Sequence, residues 1–247
     1  MKWKKRLNIL LTSGLAILFA FVSVGAAPWN LRTPPLDIPT FDPKNFVRRI
    51  DNKYFPLKPG TTFIYRGESE GSPTRGVMTV TSQTKKILGV TTTVVHDVGY
   101  EDGVLVEDTF DWFAQDKDGN VWYFGEDTKE LDEDGNVIST EGSWEAGVDG
   151  AKPGVTMLAD PRKRDRYQLE FYPGVAEDMA QVLGYKDSLC VRYGCFEDVL
   201  WTKEWTPLEP GVVEHKYYAK GVGLIFTIKV KGGEEQTELV RVRRADR

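Results

Sequence analysis

The chain has 247 residues, 40% hydrophobic and 28% charged, with 37 Asp/Glu against 32 Lys/Arg. That acidic balance excludes electrostatic attraction to nucleic acid or to anionic lipid, since both repel negative charge. Two cysteines are too few for a disulfide-dense scaffold or for a zinc site built from two thiolate pairs.

The first 26 residues read as a secretory signal peptide. Lys2, Lys4, Lys5 and Arg6 precede an apolar stretch from Ile9 to Val24, and Gly25, Ala26 and Ala27 lead into Pro28. Val24-Gly25-Ala26 offers a cut before Ala27. No cysteine lies near the cut to carry a lipid anchor, so the expectation is a periplasmic or extracellular protein. Four basic residues leave with the signal, which takes the net charge from −5 to −9. The 221 residues that remain suit one domain and can bury a core without disulfides. No later apolar run is long enough to span a bilayer as a helix.

Residues 27–60 are Pro-rich and predict an extended segment with one short helix near Asp42 to Ile50. Asp42 is the candidate cap and Pro43 the first helical position. From Thr61 to the C-terminus the pattern becomes β-rich and alternating, with Gly and Asp-Gly turns. It predicts one antiparallel β domain, a meander forming a curved sheet or partly open barrel.

Register can be read between Val90 and Val137. Asp116 to Asn120 and Asp132 to Asn136 read as three-residue hairpin loops with Gly in the left-handed position, and Glu101-Asp102-Gly103 reads the same way. That choice sets Tyr100 opposite Val104, His96 opposite Asp108, Val94 opposite Phe110 and Thr92 opposite Trp112. These residues share one face, and Val95, Asp97, Glu107 and Asp111 share the wetter one. The next turn adds Trp122 beside Ala114 and Phe124 beside Trp112. The predicted ligand lining is therefore Trp112, Trp122 and Phe124, with His96 and Asp108 as a polar handle.

A carboxylate beside imidazole fixes the ring's tautomer or favours its protonated form, and is the supporting half of a nucleophilic triad. No Gly-x-Ser-x-Gly motif supplies the nucleophile, and a buried polar pair satisfying itself explains the two residues equally. From Asp97 to Asp149 there are seventeen Asp/Glu against Lys117 and Lys129. They coat a wet sheet face, or they form a cation site or a docking surface for a basic partner. Asp116, Asp118 and Asn120 have the opening spacing of a calcium loop, but the Gly comes too early and a hairpin turn accounts for them.

Gly142 to Gly154 is Gly-rich around Trp144 and Glu145. It is a candidate binding loop, or a structural loop that packs Trp144 over the sheet end. Pro173 to Leu183 predicts the one clear helix, near 173–183, with Val175, Met179 and Val182 on one side. Cys190 and Cys195 predict a local disulfide: they face each other if Arg192-Tyr193 forms the turn, and do not if Tyr193-Gly194 does. His215 alternates with Val213, Tyr217 and Ala219, which suggests a core histidine. Leu224 to Val230 and a strand holding Val240 and Val242 follow, joined by Gly232-Gly233.

The run Asn52 to Tyr65, with its Phe55-Pro56-Leu57-x-x-Gly60 opening, resembles a group of bacterial exported proteins without an assigned activity. The resemblance continues through Asp111 to Gln115, Gly142 to Gly147 and Glu204 to Gly211. It implies an exported bacterial protein and, through similarity of the opening to periplasmic domains, an antiparallel β carrier in outline. It supplies no catalytic residue and no cofactor.

The function read from the sequence is a non-catalytic binding protein for a small-molecule or lipid ligand. The alternatives are a hydrolase using His96 and Asp108, with or without a metal, and a protein-docking module with an acidic surface.

Overall fold

A computed structural model describes residues 39–245; the signal-peptide pattern and its cleavage point fall outside the described residues. Sixteen strands follow one another: β1 (Phe46–Val47), β2 (Thr61–Ser69), β3 (Ser72–Ile87), β4 (Val90–Glu101), β5 (Val104–Asp116) and β6 (Val121–Leu131). Three short ones come next, β7 (Val137–Ser139), β8 (Trp144–Glu145) and β9 (Lys152–Met157), then β10 (Arg166–Gln168) and β11 (Glu170–Phe171). The C-terminal group is β12 (Met179–Val191), β13 (Gly194–Trp205), β14 (Val213–Ala219), β15 (Gly223–Lys231) and β16 (Glu235–Arg244).

They form one antiparallel sheet in the order β10-β12-β13-β14-β15-β16-β2-β3-β4-β5-β6-β9-β11. β1 pairs with β5, and β7 and β8 pair with β6, off this path. The sheet curls into a nearly closed barrel. No ladder joins its two terminal strands, β10 and β11, so one seam stays open.

The two Asp-Gly-Asn loops form as the sequence predicts. Asp116 N–H donates to Asn120 O and Asp132 N–H to Asn136 O, with Gly119 and Gly135 left-handed at φ 97° and 81°. Trp122 accordingly pairs with Ala114. The Glu101-Asp102-Gly103 reading is corrected. Glu101 pairs with Val104, so the loop is the two residues Asp102 and Gly103, both at positive φ, the backbone such tight hairpins require. A bulge at Gly99/Tyr100 adds a second one-residue shift, so His96 pairs with Phe110 and Asp108 with Val98. Beyond the bulge the shift is two, which keeps His96, Asp108 and Phe110 on one face and Asp97 and Glu107 on the other.

The helix expected near 173–183 is not formed. Tyr172 to Ala176 is a hydrogen-bonded turn, and Met179 begins β12. Ala180 and Val182 are buried at the two-residue spacing of a strand. With Met179 also buried, apolar residues stand in a cluster whose period is ambiguous from sequence. The helix near Asp42 shrinks to a single 3-10 turn, Pro43–Asn45, capped by the Asp42 carboxylate on Lys44 N–H.

The barrel is held together in two layers. On the outside of β5 and β6, Phe41 and Phe46 pack edge-on against Trp122 and Phe124 with ring centroids 5.6–6.1 Å apart. Fully burying one aromatic side chain contributes about 1.5–3 kcal/mol. At one end of the barrel, residues 50–57 form a strap. Asn52 is buried and uses both ends of its amide, accepting from Tyr54 and Phe55 N–H and donating to Gly119 and Leu158 carbonyls. Gln115 ties the same strap by accepting from Asp51 and Asn52 N–H and donating to the Asp51 carboxylate. The strap thereby sets Phe55, Pro56 and Leu57 against the interior.

The C-terminal hairpin turns at Arg192-Tyr193, so Cys190 pairs with Cys195 and the two form a disulfide. Its tip reaches β16, where Tyr193 N–H donates to Leu239 O and Arg192 pairs with Glu238 at 2.8 Å.

A cavity in the barrel lumen

The register fixes which side chains enter the barrel. Three rows cross it: Tyr65, Gly76, Gly99, Glu107; then Phe63, Met78, Asp97, Thr109; then Val80, Val95, Asp111, Glu126. The first two rows, Thr109 excepted, border a cavity of about 280 Å³, closed by Phe55 and Leu57 of the strap and by Val222 and Leu224 at the β14–β15 turn. Glu214, Lys216 and Glu235 stand on its other side.

Two glycines make the space. Gly76 and Gly99 are direct cross-strand partners on the lumen face, between Tyr65 and Glu107. Neither has a positive φ. A Cβ at Gly76 would meet only Tyr65, at an ordinary 3.7 Å. Gly76 therefore has room for a side chain, and the lack of one leaves the floor of the cavity open.

The lumen is acidic. Its carboxylates find few cations: Lys216 pairs with Glu204 at 2.8 Å and Glu214 at 3.8 Å, and Lys229 with Glu235 at 2.8 Å. Burial pulls the Lys216 ammonium down, but the surrounding carboxylates outweigh it and hold the pKa above the usual lysine value. Burial raises the Asp97 pKa well above the ordinary carboxylate range, with the charges of Asp111 and Glu107 adding to it. Burial likewise raises Glu107, against a hydrogen bond from Thr109.

Deeper in the barrel, Asp111 is raised to about 7 and Glu126 well above its ordinary value, both chiefly by burial. Beyond them a slit of about 30 Å³ is bordered by Glu126, Glu170, Asp178, Glu204 and Glu214. Burial lifts Asp178 to about 7, partly offset by Lys216, and raises Glu170 well above the ordinary range. Among the described residues no three His, Cys, Asp or Glu side chains converge in a metal-binding group.

The seven residues that the sequence nominated lie elsewhere. His96 and Asp108 do meet, diagonally across β4 and β5, with Nε2 2.6 Å from Oδ1 and the imidazole stacked on Phe110 at 4.3 Å. Both side chains remain about a third exposed, at 37% and 32%, on the sheet face opposite Asp97 and Glu107. Trp112 is on that outer face too. The Lys85 ammonium covers its ring at 3.3 Å and pairs with Glu145 at 2.7 Å. Trp122 and Phe124 are sealed beneath Phe41 and Phe46, and Trp122 Nε1 donates to Asp116. Trp144 packs edge-on against Tyr123, its indole N–H buried without a partner. None of the seven borders the lumen cavity.

The Asp116 carboxylate is fully engaged by Asn120 and Trp122, as a hairpin turn requires. His215 lies edge-on to Trp201, half-buried, and burial together with Lys203 and Lys186 lowers its pKa. The cavity residues did leave a trace in the sequence. Gly76 and Gly99 interrupt strand patterns, which marks a bulge or a place where something must approach the backbone.

No family model and no curated protein matches this chain. Two solved structures are similar to it. One is a candidate exported protein with a YmcC-like fold from Bacteroides fragilis NCTC 9343. It is 15% identical, with 78% of this chain and 100% of that chain covered and a TM-score of 0.48. The other is a candidate lipoprotein from Parabacteroides distasonis ATCC 8503. It is 13% identical, with the same coverage and a TM-score of 0.44.

Proposed function

We propose that this protein is exported by its N-terminal signal, folds as one domain, and holds a small, largely apolar ligand in the barrel lumen without chemically changing it. The observation that carries this reading is the Gly76–Gly99 floor. Two cross-strand partners without a positive φ both lack a side chain, and at Gly76 there is room for one, beneath walls formed by Phe63, Tyr65, Met78 and Leu224. An empty apolar cavity forfeits dispersion contacts, so a ligand that fills it gains them. The volume of about 280 Å³ falls just below the range of drug-sized ligand pockets, about 300 to 1,000 Å³, so the ligand is small.

The test uses the mature protein purified without denaturant. Mass spectrometry of the released small molecules and calorimetric titration with 1-hexanol are both repeated on Gly76→Leu. The reading expects a stoichiometric bound molecule or measurable hexanol binding, reduced at least tenfold by the substitution. Binding unaffected by Gly76→Leu, in a variant that melts normally, would place the ligand somewhere other than the lumen.

A further inference from the structure

The lumen cavity has two unlike sides, and the difference selects a ligand. One side is apolar and aromatic: Phe63, Tyr65 and Met78 on the barrel wall, with Phe55 and Leu57 from the strap. The other side is acidic: Glu214 and Glu235 border it, and Asp97 and Glu107 extend the apolar rows toward it, Asp97 next to Met78 and Glu107 next to Gly99. The cations of the lumen are already engaged, Lys216 with Glu204 and Glu214 and Lys229 with Glu235. Arg75, which also borders the cavity, lays its guanidinium over the Tyr100 ring at 5.2 Å. Asp97 is partly buried and borders the cavity. Its hydrogen-bond donor among the described residues is the backbone N–H of the next residue, Val98. Glu107 receives the Thr109 hydroxyl at 3.0 Å and, among the described residues, meets no lysine or arginine in an ion pair.

A carboxyl group at the edge of an apolar cavity is stable when it is neutral or when a cation meets it. Among the described residues no lysine or arginine forms an ion pair with Asp97 or Glu107, and the neighbouring acids push against ionisation. Resting on the reading of the lumen as a ligand site, we propose that the ligand is a small organic cation, an ammonium on an apolar body. Its apolar part would lie over the Gly76–Gly99 floor and its N–H groups would point to Asp97 and Glu107. A charge-assisted hydrogen bond in a site shielded from water is about twice as strong as a neutral one, so a partner donating N–H to these oxygens is favoured over a hydroxyl. A carboxylate or phosphate ligand would instead meet two acids at close range.

The experiment compares three molecules of one length in calorimetric titrations at pH 7: hexylamine, 1-hexanol and hexanoate. Hexylamine, protonated at this pH, is expected to bind at least tenfold more tightly than hexanol, with hexanoate not binding detectably. Asp97→Asn keeps the shape of the side chain and removes its charge. It should bring hexylamine down to the affinity of hexanol and leave hexanol unchanged, which also reports that the cavity is intact. Glu107→Gln serves as the second variant should Asp97→Asn fail to fold. Hexanol or hexanoate binding as tightly as hexylamine overturns cation selection while leaving the lumen as a ligand site. Failure of all three to bind overturns the lumen reading along with it.

Discussion

Asp111 and Glu126 are cross-strand partners inside the barrel that share one phenol: the Tyr123 hydroxyl lies 2.6 Å from Asp111 Oδ1 and 3.1 Å from Glu126 Oε2. A hydroxyl has one proton to give. With Tyr123 donating to one carboxylate, the other must carry a proton of its own to donate back or remain repelled. The barrel thus holds protons that the unfolded chain gives up.

This has a direct consequence for stability. Asp111 rises from an ordinary 3.8 to about 7 on folding, and Asp178 does the same. Each folded-state pKa lies above its unfolded value, so the native state binds more protons between about pH 4 and 7. Stability is full at the acid end of that window and falls as pH rises through it. The slope is at most about 1.4 kcal/mol per pH unit for each proton retained. Thermal melts from pH 4 to 8 should show a falling midpoint. Asp111→Asn should make the fall less steep and raise the midpoint at pH 8. A midpoint that climbs from pH 4 to 8 would mean that these acids are ionised in the folded barrel.

The strap over the barrel end is predicted to depend on one amide. Asn52→Ala strands two N–H groups and two carbonyls that Asn52 satisfies in a mostly buried site. Each unsatisfied buried group costs about 1–3 kcal/mol. A loss of about 3 kcal/mol or more in urea unfolding is expected, with weaker ligand binding because Phe55 and Leu57 lose their anchor. Asn52→Asp keeps the accepting half and should fall between the two.

The His96–Asp108 pair is expected to matter little. It is partly exposed, and surface ion pairs contribute about 0–1 kcal/mol. Asp108→Asn should change unfolding free energy by less than about 1 kcal/mol and leave hexanol affinity within twofold. A tenfold loss of ligand binding would move the site to the outer face.

The disulfide closes a short loop between Cys190 and Cys195, for which chain entropy gives about 2 kcal/mol at most. The hairpin tip is held separately by Arg192–Glu238 and by the Tyr193–Leu239 backbone bond. Replacing both cysteines by serine should therefore cost no more than about 2 kcal/mol, measured by urea unfolding, and preserve binding.

Strand alternation and Gly-terminated turns made the antiparallel sheet, the two Asp-Gly-Asn loops and the Trp122–Ala114 pair legible from sequence. The direction of the faces was not. The apolar face was assigned to the inside, yet His96, Trp112 and Tyr217 lie on the outer surface while Asp97, Glu107, Glu214 and Lys216 face the lumen. The reason is physical. Phe41 and Phe46 cross the outside of β5 and β6 and bury the aromatic face there, which alternation within a strand cannot reveal. Lysines cover other rings: Lys85 lies over Trp112 and Lys186 over Trp201. Pro173 to Leu183 misled because a turn followed by two consecutive buried residues mimics a helical spacing. The cavity itself is made by what Gly76 and Gly99 lack, and an absent side chain adds nothing to a hydrophobic pattern.

Methionine-methyl NMR tests the central claim most directly. The described residues contain three methionines: Met78 borders the lumen cavity, whereas Met157 and Met179 are buried away from it. Titration with 1-hexanol should move the Met78 methyl resonance to saturation and leave the other two in place. A saturating shift at Met157 or Met179 with Met78 unmoved would contradict a ligand over the Gly76–Gly99 floor.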